Sequence, residues 1–176
     1  MNKTKRLLVL AMTLLLAVCL FAGCGEERNE GEVDNRNVAV AGGSLSWPEG
    51  FDSTPRFNEL QKDGVLYAAF NNIQSPTSSY FTPASDTLTI VGRATTESES
   101  RKTWRVMLWR EVAGAREYVD GCTLYLTADG SCYTGTFTGL DTGRRYKISL
   151  GYDGGRYNMS GGVTVSDIVT GEAAAE

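Results

Sequence analysis

The chain has 176 residues, a formal net charge of −4 and no histidine, and 41% of its residues are hydrophobic. This length suits one domain of ordinary size plus a short extra segment, and the composition is that of a globular protein. Without histidine the chain cannot build a Ser-His-Asp triad or a His-ligated zinc site. The acidic balance argues against a nucleic-acid partner, because neutralising phosphates takes a clustered surface of Lys and Arg.

The first 23 residues have the pattern of an export signal. Lys3, Lys5 and Arg6 occur without an acid, and an apolar run of 16 residues from Leu7 to Ala22 follows directly. A membrane-spanning helix takes about 20 apolar residues, so this run is short for a permanent anchor. The pattern predicts a signal peptide over residues 1–23 that directs the chain out of the cytoplasm.

The apolar run ends in Leu20-Phe21-Ala22-Gly23-Cys24. This ending resembles the lipobox of bacterial lipoproteins, in which small residues precede a cysteine that becomes the lipid-modified N-terminus. The resemblance implies a diacylglyceryl group on Cys24 and a position on the extracytoplasmic face of the cell membrane. Phe21 departs from the Leu, Val or Ile that the family prefers at its place. An ordinary secretory signal and an uncleaved anchor remain open as alternatives.

The bilayer would be a partner through diacylglyceryl-Cys24, and two acyl chains give stable anchoring at about 0.8 kcal/mol per buried CH₂. Residues 24–43 are rich in Glu, Asn and Gly and show no hydrophobic periodicity. Such a composition predicts a flexible acidic tether between the anchor and a folded domain.

From Trp47 onward the chain consists of short runs rich in Val, Ile, Thr, Tyr and Trp, separated by Gly, Asp, Asn and Ser. This spacing predicts an all-β fold, a single seven-stranded antiparallel β-sandwich over residues 44–168, followed by a disordered tail over 169–176. Residues 56–62 are the one helical candidate, at most two turns closed by Asp63-Gly64. The predicted strands are Val65–Phe70, Thr87–Ala94, Thr103–Val112, Gly121–Thr127, Ser131–Leu140, Arg145–Tyr152 and Gly162–Ile168.

Alternation along these strands assigns side chains to faces, because successive residues of a strand point to opposite sides. Turn chemistry adds a two-residue hairpin at Asp129-Gly130 and a second turn at Asp153-Gly154-Gly155. The predicted core-facing sets are Leu88 and Ile90; Trp104, Val106 and Leu108; Tyr146, Ile148 and Leu150; and Val163 and Val165.

The segment from Thr138 to Tyr146 resembles the corner between strands E and F of fibronectin type III and immunoglobulin-like domains. Leu140 precedes Tyr146 by six residues, which is the spacing of the tyrosine corner. Thr142 replaces the usual Pro, and the second predicted strand lacks the tryptophan that the family places there. The resemblance implies a sandwich in which Trp104 supplies the aromatic core and the Tyr146 hydroxyl bonds nearby backbone.

Cys122 and Cys132 are the cysteines left after signal removal. An even pair in an exported protein favours a disulfide. A hairpin at Asp129-Gly130 would instead place Cys132 opposite Thr127 and the two thiols on opposite faces, too far apart for a bond. A disulfide and two free buried thiols therefore both remain open.

Surface aromatics are the candidates for ligand contact. Tyr152, Arg156 and Tyr157 surround a glycine turn before the last predicted strand, where rings and a guanidinium could stack on sugars or hold a protein partner. Trp109 falls on the face opposite the predicted core. It is either a further ligand contact or packed beneath the N-terminal segment around Trp47.

The sequence favours a membrane-anchored, non-catalytic binding or scaffold module whose ligand it does not identify, with a glycan and a cell-envelope protein as the candidate ligands. No Asp-Gly turn has the dense acidic spacing of a calcium loop, so neither a metal nor a cofactor is expected. The alternative is a small histidine-free enzyme that acts on glycans through paired carboxylates. Its candidates are Glu97, Glu99, Glu111, Glu117 and Asp120.

Overall fold

A computed structural model describes residues 38–170 of the chain. Within this range the backbone forms eleven strands, and no helix there is long and apolar enough to cross a membrane. The strands are β1 (Val40–Ala41), β2 (Phe57–Lys62), β3 (Val65–Ile73), β4 (Thr82–Pro83), β5 (Leu88–Thr96), β6 (Thr103–Val112), β7 (Ala115–Thr127), β8 (Asp129–Phe137), β9 (Tyr146–Tyr152), β10 (Met159–Ser166) and β11 (Ile168–Val169).

The strands form two packed sheets. The larger sheet has the order β1-β8-β5-β10-β3-β2, the smaller has the order β7-β6-β9, and β4 pairs with β11. All of these pairings are antiparallel. Side chains from both sheets join in one buried cluster, so the predicted all-β antiparallel sandwich is confirmed. The predicted number of seven strands is too low, because β1, β2, β4 and β11 are additional strands in the described range.

The core follows the predicted alternation. Each residue of the four predicted sets is at most 2% exposed, and Trp104 packs its ring 5.8 Å from that of Phe70. Burying a side chain of this size contributes roughly 1.5–3 kcal/mol to stability. These rows therefore hold the sheets together, and the tryptophan of β6 supplies the aromatic core as expected.

The corner before β9 has the predicted geometry. Leu140 and Tyr146 are both buried. The Tyr146 hydroxyl accepts a hydrogen bond from the backbone N–H of Asp141 at 3.1 Å. The resemblance to the tyrosine corner thus holds at the level of the hydrogen bond as well as the spacing.

Strand β10 occupies a different place from the last strand of an immunoglobulin-like sandwich. In that fold the last strand pairs with strand F, whereas β10 lies between β5 and β3 in the larger sheet.

Strand β9 pairs with β6 and, on its other side, with the irregular segment 74–81. In that segment Ser78 donates its N–H to Ile148 at 3.0 Å and Phe81 donates to Tyr146 at 2.7 Å.

Most of the helical candidate 56–62 forms strand β2, which begins at Phe57. Strand β2 pairs with β3, and Asp63 and Gly64 join them with φ values of 51° and 77°. Two successive positive φ angles are those of a type I′ turn, whose twist matches a hairpin. The Asp-Gly pair that was expected to end a helix is therefore a hairpin turn.

The predicted hairpin at Asp129-Gly130 is wrong. Strand β7 ends at Thr127 in the smaller sheet, and β8 begins at Asp129 in the larger one. Ala128, 2% exposed, connects them and donates its N–H to the Lys102 carbonyl at 2.7 Å. The chain crosses between the sheets here because β7 pairs with β6 in the smaller sheet, whereas β8 pairs with β5 and β1 in the larger one.

The end of the predicted tether belongs to the sandwich. Ala39 donates its N–H to the Tyr125 carbonyl at 3.1 Å, and β1 pairs with Tyr133 and Thr134 of β8. Residues 38–41, which the sequence interpretation assigned to the tether, thus belong to the sandwich. Val169 and Thr170 likewise extend the fold past 168, and the rest of both terminal segments lies outside the described residues.

We expect Tyr146→Phe to lower the free energy of unfolding by about 0.5–1.5 kcal/mol, because it removes one partly buried hydrogen bond and little packing. Urea denaturation measures the loss. Tyr125→Phe is the control, since that hydroxyl bonds no described residue, and it should change stability by less than about 0.5 kcal/mol. Equal stability of Tyr146→Phe and the unchanged protein would contradict the corner assignment.

Candidate functional site

A groove runs over the outer face of the larger sheet, where β3, β5 and β10 lie side by side. It consists of two adjoining hollows of 270 and 480 Å³ that share Thr95 and Ser160. We call it the β10 groove. Its first hollow has Trp47, Asn71 and Arg93 among its lining residues, and its second has Asn72, Glu97 and Asn158.

Two glycines of β10 form the floor of this groove. A Cβ on Gly161 would overlap the Arg93 carbonyl oxygen and lie 2.7 Å from the Ala94 Cα, both backbone atoms of β5. A Cβ on Gly162 would instead overlap the indole ring of Trp47. The first glycine lets β10 approach β5, and the second leaves the space that Trp47 fills.

The rim of the groove is held by a hydrogen-bonded network of polar side chains. The backbone N–H of Asn72 donates to Ser160 Oγ at 2.9 Å, and Asn158 Nδ2 donates to Asn72 Oδ1 at 2.7 Å. Asn72 has a φ of 52°, and β10 is bulged between Met159 and Gly161. Backbone of this kind costs on the order of 1–3 kcal/mol and concentrates where side chains must be re-aimed at a site.

The loop that carries Trp47 is fixed to the sheet. Trp47 stacks on Phe51 with ring centroids 4.9 Å apart. Asn71 Nδ2 donates to the carbonyl oxygens of Ser53 and Pro55, each at 2.8 Å. The side chain of one strand residue thus holds the returning loop and places the indole beside the groove.

A second aromatic surface lies on the outer face of the smaller sheet. Trp109 and Tyr118 meet edge to face at 5.7 Å, and the Arg116 guanidinium lies 5.0 Å from the Trp109 ring centre. Lys147 Nζ lies 4.6 Å from the centre of the Tyr80 ring. Trp109 is half-buried among these neighbours, while Trp47 packs on the other sheet, so the predicted packing of Trp109 beneath the segment around Trp47 is wrong.

The predicted ligand contacts before β10 are only partly available to a ligand. Tyr152 is 3% exposed, and its hydroxyl lies 2.8 Å from Thr96 Oγ1 and donates to the Arg101 carbonyl at 2.8 Å. Its prediction as an exposed contact is wrong, because β9 continues the core row through this residue. Arg156 is exposed and lies over the half-buried Tyr157 ring at 5.1 Å; neither residue lines the groove, whereas the next residue, Asn158, does.

Cys122 and Cys132 are both free, so the disulfide left open by the sequence is not formed. They lie on β7 and β8, in different sheets. Cys122 is buried, and desolvation raises the pKa of its thiol, which makes it an unreactive core residue. Cys24 lies outside the described residues.

Two of the five acidic candidates form ion pairs, and a third, Glu97, lines the β10 groove. Glu117 pairs with Arg110 at 2.7 Å and Glu111 with Arg145 at 3.1 Å. Asp129, which is not one of the five candidates, has a carboxylate that accepts hydrogen bonds from the Ser131 backbone N–H and the Tyr133 hydroxyl, and these bonds lower its pKa. In the part of the chain that the structure describes, no three His, Cys, Asp or Glu residues gather as a metal site would require.

Comparison with known proteins places the chain in no family. No family model matches it, and no curated protein does either. A solved structure described as "CBM4 structure and function" is similar over 65% of this chain and 75% of its own, with 17% sequence identity and a TM-score of 0.31. A TM-score this low carries no argument about function.

The sequence interpretation missed Trp47, Asn71, Arg93 and Ser160 as site residues. The pair Gly161-Gly162, at the start of the last predicted strand, was the one available signal, because glycines in a strand mark a bulge or a close approach. The partner in that approach is Trp47, more than a hundred residues earlier in the chain. No local pattern connects the two positions.

We expect Gly161→Ala to destabilise the protein by about 1–3 kcal/mol or more, because its methyl group would meet backbone. Gly162→Ala should cost less, since the indole of Trp47 can move away. Urea denaturation compares the two variants. Acrylamide quenching in a Trp109→Phe background, where Trp104 is buried, should show greater exposure of Trp47 in Gly162→Ala. Equal stability of both variants would contradict the assigned close approach at Gly161.

Proposed function

We propose that the sandwich is a non-catalytic binding module for a glycan chain, and that the β10 groove is its ligand site. The observation that carries this proposal is the meeting of an indole with amide and hydroxyl side chains in one groove. Sugar rings present an apolar face to an aromatic ring and hydroxyls at their rim, so they need both kinds of neighbour.

The rigidity of the groove supports binding. Asn72, Asn158 and Ser160 are connected by hydrogen bonds before any ligand arrives. Asn71 fixes the loop that carries the indole. A site whose side chains are already ordered loses less conformational entropy when a ligand binds.

Binding without hydrolysis is favoured by the carboxylates of the groove. Among the described residues that line it, Glu97 is the one acid. Glycosidases generally use two carboxyl groups about 5–9.5 Å apart. Release of reducing ends from a bound glycan by the purified protein would contradict this part of the proposal and favour the enzymatic alternative.

The proposed module is held at the extracytoplasmic face of the cell membrane through lipidated Cys24. The support is the basic start, the short apolar run and the Ala22-Gly23-Cys24 ending. The anchor would keep the groove at the cell surface, where envelope glycans are the abundant polymers within reach.

We expect Trp47→Ala to weaken glycan binding at least about tenfold, the loss typical of an aromatic anchor. The assay is a panel of cell-envelope polysaccharides and oligosaccharides, presented to the detergent-solubilised full-length protein. Trp109→Ala is the matched control, a half-buried tryptophan on the other sheet, and should bind normally. Loss of binding in Trp109→Ala with retention in Trp47→Ala would move the site to the smaller sheet.

We expect Cys24→Ser to abolish incorporation of labelled fatty acid in a bacterial host and to move the protein out of the detergent phase. Cys19→Ser is the control, because Cys19 follows the branched Val18 and does not fit the lipid-acceptor position. It should be labelled like the unchanged protein. Fatty-acid labelling that persists in Cys24→Ser would contradict the lipoprotein assignment.

A further inference from the structure

We infer that the β10 groove selects acidic glycans, and that Arg93 recognises the carboxylate of an acidic sugar. The inference rests on the proposed glycan binding and adds the class of ligand. Arg93 is exposed and lines the first hollow together with Trp47. It is the one cation among the described residues that line the groove.

The position of Arg93 in the sheet places it next to the indole of Trp47. Arg93 stands on the outer face of β5, in register with Gly162 of β10 on one side and Cys132 of β8 on the other. Gly162 contributes no side chain, and the Trp47 indole occupies the space above it. The exposed Arg93 side chain therefore has the indole as its neighbour on that side.

Arg93 also differs from most arginines of the domain in its partners. Arg105 pairs with Asp153 at 2.6 Å, Arg110 with Glu117 at 2.7 Å and Arg145 with Glu111 at 3.1 Å. The Arg93 guanidinium makes no ion pair or side-chain hydrogen bond with any residue of the range 38–170. No residue of this range therefore occupies the N–H donors that a ligand would use.

The chemistry of the guanidinium points to a carboxylate. Its planar fork matches two carboxylate oxygens with two parallel hydrogen bonds, and such charge-assisted bonds are about twice as strong as neutral ones. A uronic acid seated on the Trp47 ring would present its carboxylate beside the ring. Arg93 and Trp47 can then recognise one sugar unit together.

Glu97 makes the two hollows of the groove differ in charge. It lines the second hollow, which shares Thr95 and Ser160 with the first. A second carboxylate would be repelled there, whereas a neutral sugar can donate its hydroxyls to Glu97. A chain in which acidic and neutral sugars alternate therefore fits the two hollows better than a chain of acidic sugars alone.

The test measures affinities of the detergent-solubilised full-length protein by calorimetry. The probes are hyaluronan oligosaccharides, which alternate glucuronate with a neutral amino sugar, and neutral chitin and acidic polygalacturonate oligosaccharides of equal length. We expect hyaluronan to bind most tightly, polygalacturonate less tightly and chitin least tightly. Arg93→Gln should weaken hyaluronan binding about tenfold or more and leave chitin binding within about twofold. Arg93→Lys should recover part of the loss.

Arg116→Gln is the matched control, a cation on the outer face of the smaller sheet, and should bind all probes normally. The inference is overturned if Arg93→Gln binds hyaluronan as the unchanged protein does, or if it weakens chitin binding equally. In that case glycan binding still stands, provided that Trp47→Ala loses affinity. If no probe binds, or if Trp47→Ala binds every probe normally, the proposed function fails as well.

Discussion

The close approach of β10 to β5 is the contact on which the larger sheet and its groove depend. Strand β10 pairs with β3 on one side and β5 on the other, so it connects the two halves of the six-stranded sheet. Its inner side carries buried Val163 and Val165. On its outer side Gly162 carries no side chain, and the N-terminal loop places Trp47 in the space that this leaves.

The same contact relates stability to the proposed function. A strand with large outward side chains would pair equally well with its neighbours, but it would fill the groove and exclude the indole. The bulge before Gly161 and the positive φ of Asn72 occur at this place. The sheet is least regular where the polar rim is assembled, as expected where a site is built on a sheet.

Sequence patterns predicted the core well because alternation is a local property. The row Tyr146, Ile148 and Leu150 is buried as expected, and the same period places Tyr152 in the core. The aromatic composition of its turn favoured a ligand contact, and the structure shows that the period was the better guide. For a residue at the end of a strand, face assignment should outweigh side-chain type.

The sequence could not decide features that depend on pairing between distant segments. An Asp-Gly pair makes a type I′ hairpin at Asp63-Gly64, yet the same pair at Asp129-Gly130 follows a crossing between sheets. The local preference of both pairs is identical, and only the partner strand differs. Sequence patterns could not predict the groove for the same reason. It is formed by segments that meet only in the folded chain: the segment around Trp47, β3, β5 and β10.

Residues 38–41 have a consequence for self-association. Val38 bridges Tyr125 of β7, and β1 covers β8, so this short segment covers an outer edge of each sheet. An uncovered strand edge presents free N–H and carbonyl groups to which another chain can add a strand. A form of the protein that begins at Ser44 would expose both edges at once. It would therefore be prone to pair with further copies of itself, because residues 38–41 would no longer cover these edges.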